Sequence, residues 1–156
     1  MPILNPVAHV ATTQQSAQFP WNPGEEEEYA ADPKDFLLSR CQLAMDNSEY
    51  TRALVVCATY CLPAYDILPG GQKFHRSETT IQESLYQGKV GLVIGMGPLA
   101  FVDSGAIIFG GQKFEVGDWV QWDIHAARQF TINRIHCRYL NDTQIIARVK
   151  DPRLVY

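Results

Sequence analysis

The stretch GKVGLVIGMG, Gly88–Gly97, alternates as a strand does. Val90, Leu92, Ile94 and Met96 fall on one face of such a strand, with Lys89, Gly91, Val93 and Gly95 on the other. The period recurs around it. RALVVCATY, Arg52–Tyr60, is apolar and rich in β-branched residues. GDWVQWDI, Gly117–Ile124, puts Val120, Trp122 and Ile124 on one face and Trp119, Gln121 and Asp123 on the other. FTI (130–132) and IHCRYL (135–140) flank Asn133-Arg134, which reads as a turn, and TQIIARV (143–149) supplies a last short strand. Short strands separated by turn signals predict a mainly β chain, a small barrel or sandwich.

The N-terminal third is different. Residues 1–31 hold Pro2, Pro6, Pro20 and Pro23 among small polar residues and sustain no period, which predicts an extended arm. Its apolar residues Ile3, Leu4, Val7, Phe19 and Trp21 are the expected docking anchors. One helix with its connector is predicted over 32–49. Asp32 suits the N-cap, Pro33 the first helical position and Asp35 the positive helix end. Leu37, Cys41, Ala44 and Met45 form one apolar stripe, and Asn47 is the stop. The body is predicted over 50–156, with a long loop at 62–87. A loop of that length marks a functional or partner-binding segment.

The chain has 156 residues, 46% hydrophobic and 19% charged, as expected of a globular protein. No apolar run approaches the roughly 20 residues that cross a bilayer, and the N-terminus lacks the layout of a secretory signal. No membrane partner is therefore expected. The net charge of −4 is unevenly spread, with Glu25–Glu28 near the N-terminus and Arg128, Arg134, Arg138, Arg148, Lys150 and Arg153 near the end. An acidic arm on a mildly basic body favours contact with neighbouring subunits.

Chemistry-bearing motifs are scarce. GMGPLAF has Pro98 where a dinucleotide fingerprint needs a helix, and GGQK lacks the spacing of a phosphate-binding loop. His9, His75, His125 and His136 are scattered, with no metal-site spacing. Cys41, Cys57, Cys61 and Cys137 read as buried thiols. No catalytic constellation, cofactor site or metal site is expected, so the chain reads as a non-enzyme. Phe130 and Tyr139 among the C-terminal bases admit base stacking, but the acidic balance makes nucleic acid an unfavoured partner. The pentapeptide GGQKF occurs at Gly70–Phe74 and again at Gly110–Phe114. Both copies read as Gly-Gly turns, each returning an excursion to the body through Phe74 or Phe114, with Lys73 and Lys113 at the rim.

Three segments in order, GKVGLVIGMGP (88–98), KFEVGDWVQW (113–122) and CRYLNDTQIIARV (137–149), resemble the small co-chaperonin, GroES-like family, with RALVVCATY in the place of its first strand. The resemblance covers about residues 50–150. It implies a GroES-like small β-barrel, with 62–87 in the place of the family's mobile loop and 97–113 in that of its roof. The family has no counterpart of the N-terminal arm and helix. Its loop carries an aliphatic tripeptide, whereas here only Ile67-Leu68 precedes Pro69-Gly70. YQGKVGLVIGMGPLAF, VGDWV and the C-terminal DPRLVY look most like GroES-like proteins of tailed phages. That similarity implies a non-enzymatic virion protein, a capsid decoration or cement protein that stabilises the head. Its partners would be the major capsid protein and copies of itself. The alternative is a co-chaperonin capping a chaperonin ring to assist capsid-protein folding. Either would use Tyr65, Ile67, Leu68, Phe74 and Phe109 from the loops together with the arm anchors.

Overall fold

The computed structural model describes residues 23–63, 65–77, 79–80, 83, 88–103, 105–125 and 127–155. Among these residues the fold is mainly β, with a large antiparallel sheet preceded by two α-helices. Helix α1 spans Pro23–Ala31 and α2 spans Pro33–Asp46. Strands β1 (Leu54–Thr59), β2 (Tyr65–Ile67), β3 (Lys73–His75), β4 (Val90–Met96), β5 (Trp119–Trp122), β6 (Arg128–Ile132), β7 (Ile135–Asn141) and β8 (Ile145–Val149) follow. Six strands form one sheet in the order β6-β7-β1-β4-β5-β8, and β2 pairs with β3 alone.

Two helices stand where one was expected. The last part of the expected arm, PGEEEEYAA, is helical. Pro23 suits a first helical position, Glu25 and Glu26 favour the positive helix end, and Ala30 and Ala31 propagate the helix. The glutamates hide this from a periodicity reading, because among the described side chains of α1 Tyr29 alone is fully buried. The Tyr29 hydroxyl donates to the Cys61 carbonyl at 2.5 Å and accepts from the Cys61 N–H at 3.0 Å. Its ring meets Phe36 edge-on at 5.5 Å. Helix α2 begins as expected, with the Asp32 carboxylate accepting from the Asp35 N–H at 3.1 Å. Leu37 and Cys41 are buried from the expected stripe, and Phe36 joins them.

The expected barrel is not closed: among the described residues, β6 and β8 are the sheet's two edges. Closure is one way to bury both faces of a sheet, and here separate elements cover them. On one face Val56, Ala58, Val90, Leu92, Ile94, Ile135 and Cys137 pack beneath Phe36, Leu37 and Cys41 of the helices. On the other, Val55, Cys57, Val93, Val120, Trp122 and Leu140 pack with Phe101 and Phe114 of the excursion. Removing such side chains from water stabilises by about 1.5–3 kcal/mol each.

Strand β4 departs from simple alternation at one point. Val56 pairs with Gly95 but Cys57 pairs with Val93, so Ile94 is an extra residue. Val90, Leu92 and Ile94 share one face, as expected, and it is the helix side, whereas Met96, expected with them, packs on the opposite face. Gly95 therefore comes to face Met45 and Tyr50. Strand β5 ends at Trp122, so Ile124 lies in the following turn instead of extending the face of Val120 and Trp122. The Trp122 indole Nε1 donates to the Gly88 carbonyl at 3.1 Å, and its ring lies over Gly91, where a Cβ would come within 2.4 Å of it. Asn133 and Arg134 turn β6 into β7 with φ of 46° and 67°, the paired positive values that a tight hairpin turn requires.

Candidate interaction surface

Two loops project exposed aliphatic side chains from this body, and each is held by specific contacts. The first is the β2–β3 hairpin. Its register pairs Tyr65 with His75, Asp66 with Phe74 and Ile67 with Lys73. Tyr65 is buried, and the Lys73 ammonium lies 4.6 Å from its ring while pairing with Glu27 of α1 at 2.9 Å. Arg76 donates to the Pro63 carbonyl at 3.0 Å and pairs with Asp66. Asp66 and Phe74 lie on the hairpin face opposite Tyr65. That placement leaves Phe74 59% exposed, so it does not return the chain to the core as expected. Ile67 is 70% exposed, and Leu68 is exposed beside it.

The second loop runs from Gly97 to Asp118. It leaves β4 at Gly97, where a Cβ would lie 2.3 Å from the Arg52 carbonyl oxygen. Phe101 is buried with φ of 62° and packs against Phe109 at 5.5 Å and Phe114 at 5.0 Å. The buried Asp142 carboxylate accepts from the Phe101 N–H. On the return leg the Arg148 guanidinium lies 4.9 Å from the Phe114 ring, donates to the Lys113 carbonyl at 2.6 Å and pairs with Asp118 at 3.4 Å. Phe114 thus anchors its GGQKF copy in the core, as expected.

Asp103 organises the tip between these anchors. Its Oδ1 accepts from Phe109 N–H at 2.8 Å and Ile108 N–H at 2.9 Å, and its Oδ2 from Gly110 N–H at 3.1 Å. These donors, that of Phe109 foremost, hold the Asp103 carboxyl below the usual carboxylate range. Ile107 is left 87% exposed and Ile108 61%. Both loops therefore show an exposed aliphatic pair just before a Gly-Gly with positive φ, at Gly70-Gly71 and Gly110-Gly111.

Among the expected contact residues, Ile67, Leu68 and Phe74 are exposed, Phe109 is half-buried on Phe101, and Tyr65 serves the hairpin's own packing. Ile3, Leu4, Val7, Phe19 and Trp21 lie outside the described residues. Ile107 and Ile108 were not singled out from the sequence. The signal available was a β-branched pair inside the small, glycine-rich run SGAIIFGG.

Elsewhere, Phe130 and Tyr139 stack face to face at 3.8 Å, so each ring spends one face on the other rather than on a base. Half-burial, with Arg138 nearby, holds the His136 imidazole below its usual pKa. Among the described residues no cluster of three His, Cys, Asp or Glu could hold a metal, and no helix is long and apolar enough to cross a membrane. Neither any protein-family model nor any curated protein matches this sequence.

Proposed function

We propose that the protein is a non-enzymatic structural component of a tailed-phage head, a decoration or cement protein of GroES-like descent that binds the major capsid protein through its loops and N-terminal arm. The pair of fastened loop tips carries this reading. Exposed aliphatic side chains at Ile67, Leu68, Ile107 and Ile108 suit apolar pockets on a partner. The ties from Lys73, Arg76, Asp103 and Arg148 pre-order both loops, so binding loses little chain entropy.

A co-chaperonin that caps a chaperonin ring is the second reading; exposed Ile67-Leu68, in the segment that the sequence resemblance equates with the family's mobile loop, supports it. The Lys73–Glu27 pair weighs for the shell reading, since it ties the hairpin to α1, while Arg76 joins the hairpin's two legs through Asp66 and the Pro63 carbonyl. Purified particles decide between the two. The shell reading requires the protein in stoichiometric proportion to the major capsid protein. Its absence from particles, with ring formation and a changed chaperonin ATPase rate, would favour the second.

A further inference from the structure

We propose that the free edge of β6 is a self-association surface, on which a second copy of the chain lays its own β6 antiparallel, the two strands centred on Phe130. Strand β6 is one of the sheet's two edges. Its hairpin with β7 turns in two residues, so Ile132 and Ile135 flank the turn as a hydrogen-bonded pair, and Phe130 and Arg128 follow in the same phase. Gln129 and Thr131 therefore direct their N–H and C=O groups away from β7. Among the described residues no hydrogen bond reaches those groups. The ladder from Arg128 to Ile132 is unbroken, and RQFTI holds no proline, glycine or acid. The other edge is less regular. The β5–β8 register slips between Gln121 and Trp122, and the Arg148 side chain is drawn to the Lys113 carbonyl. A straight edge with free donors and acceptors is a template for another strand.

The edge fits a copy of itself. A two-fold axis at Phe130, normal to the sheet, sets Gln129 of each copy opposite Thr131 of the other, so each free N–H meets a free C=O. Phe130 then faces its counterpart at a non-hydrogen-bonded position, where side chains come closest. Tyr139 covers one face of the Phe130 ring at 3.8 Å, and Tyr50 meets Tyr139 edge-on at 6.4 Å. The second Phe130 extends this aromatic row across the axis. Arg128 falls opposite Ile132 and not opposite its like-charged counterpart, and its stem covers that apolar side chain. Helix α2 runs along the same flank. The Asn133 amide reaches the Arg40 carbonyl at 3.4 Å beside the hairpin turn, and Tyr50, just past the helix, meets Tyr139 towards the other end of β6. Between them Leu43 is 75% exposed. The axis keeps the helices of both copies on one side of the joined sheet, where the two Leu43 side chains flank the Phe130 pair. The inference does not depend on the shell reading, because it concerns contacts between copies alone.

The test uses the full chain. Addition of a strand of 5 residues makes a small interface, so association in the micromolar to millimolar range is expected. Sedimentation equilibrium should show a reversible monomer–dimer mixture. Hydrogen exchange at the Gln129 and Thr131 amides should slow as the dimer fills, while exchange along the β8 edge stays unchanged. Thr131→Pro removes an outward N–H that β7 does not use and should weaken dimerisation by about tenfold or more. Leu43→Asp, at an exposed helix position, should also weaken it with the fold intact, and so covers the case in which the proline disturbs β6. A chain that stays monomeric at millimolar concentration would overturn the proposal. So would association that leaves the Gln129 and Thr131 amides exchanging freely, or that neither variant weakens. Protection that appears only on addition of purified major capsid protein would assign the edge to that partner and overturn self-pairing.

Discussion

The Asp142 carboxylate accepts a hydrogen bond from the backbone N–H of Phe101 at 2.9 Å, across 41 positions of sequence, and both residues are buried. It ties the start of the excursion to the turn between β7 and β8. It also supports Phe101 in a left-handed conformation, which costs a non-glycine residue roughly 1–2 kcal/mol. Asp142→Ala leaves that N–H unsatisfied and should destabilise by about 2 kcal/mol. Asp142→Asn retains an acceptor and should lose less. Urea unfolding midpoints rank the two, and equal losses would show that the carboxylate is not the support.

Gly91 allows the Trp122 ring to lie on the sheet. A Cβ there would meet Trp122 Cη2 at 2.4 Å and the Ala58 carbonyl oxygen at 2.5 Å. Gly91→Ala should therefore destabilise by about 1–3 kcal/mol or more. Shrinking the ring with Trp122→Phe should rescue only part of this, because the Ala58 backbone cannot retreat. Thermal unfolding of both single variants and the double variant measures the coupling, and simple additivity would contradict the close approach.

Acid should loosen the tip of the excursion first. The Asp103 pKa is depressed in the folded chain, so its contribution is complete above the unfolded carboxyl pKa of about 4 and is lost as pH falls through the folded value. Amide exchange of Ile108, Phe109 and Gly110 should speed up, relative to the normal pH trend, as Asp103 protonates. Asp103→Asn should weaken their protection at neutral pH and flatten its acid dependence. Protection indifferent to both changes would mean the carboxylate does not hold the tip.

Charge at the tips should separate binding from folding. Ile107→Asp and Ile67→Asp alter exposed side chains and should each shift stability by no more than about 0.5 kcal/mol. Each should sharply reduce incorporation into particles, judged by stoichiometry on gels. Normal incorporation of the double variant would remove these tips from the contact.

Much of the sheet could be read from alternation, because β1, β4, β5, β7 and β8 each place apolar residues at every second position or in a continuous run. The reading failed where geometry beyond that period intervenes. The extra residue at Ile94 moves Met96 to the other face, and nothing in the composition of VGLVIGM announces it. Helix α1 was hidden because four glutamates obscure the inward turn of Tyr29. At the candidate surface, Ile67 and Leu68 were expected and are exposed. Ile107 and Ile108 were missed because exposure of apolar residues depends on how a loop is pinned, and the Asp103 cap is a tertiary fact.

Tyr29 gives the helix pair a mechanical role. A pull applied to the chain ahead of α1 reaches Tyr29, where both backbone polar groups of Cys61 grip one hydroxyl. The residue before it, Tyr60, donates its N–H to the Val90 carbonyl at 2.9 Å. Tension arriving along α1 thus passes sideways into β4, near the middle of the sheet. A tether at the N-terminus would load the part of α1 ahead of Tyr29 first, and the Tyr29 anchor would shield α2 behind it.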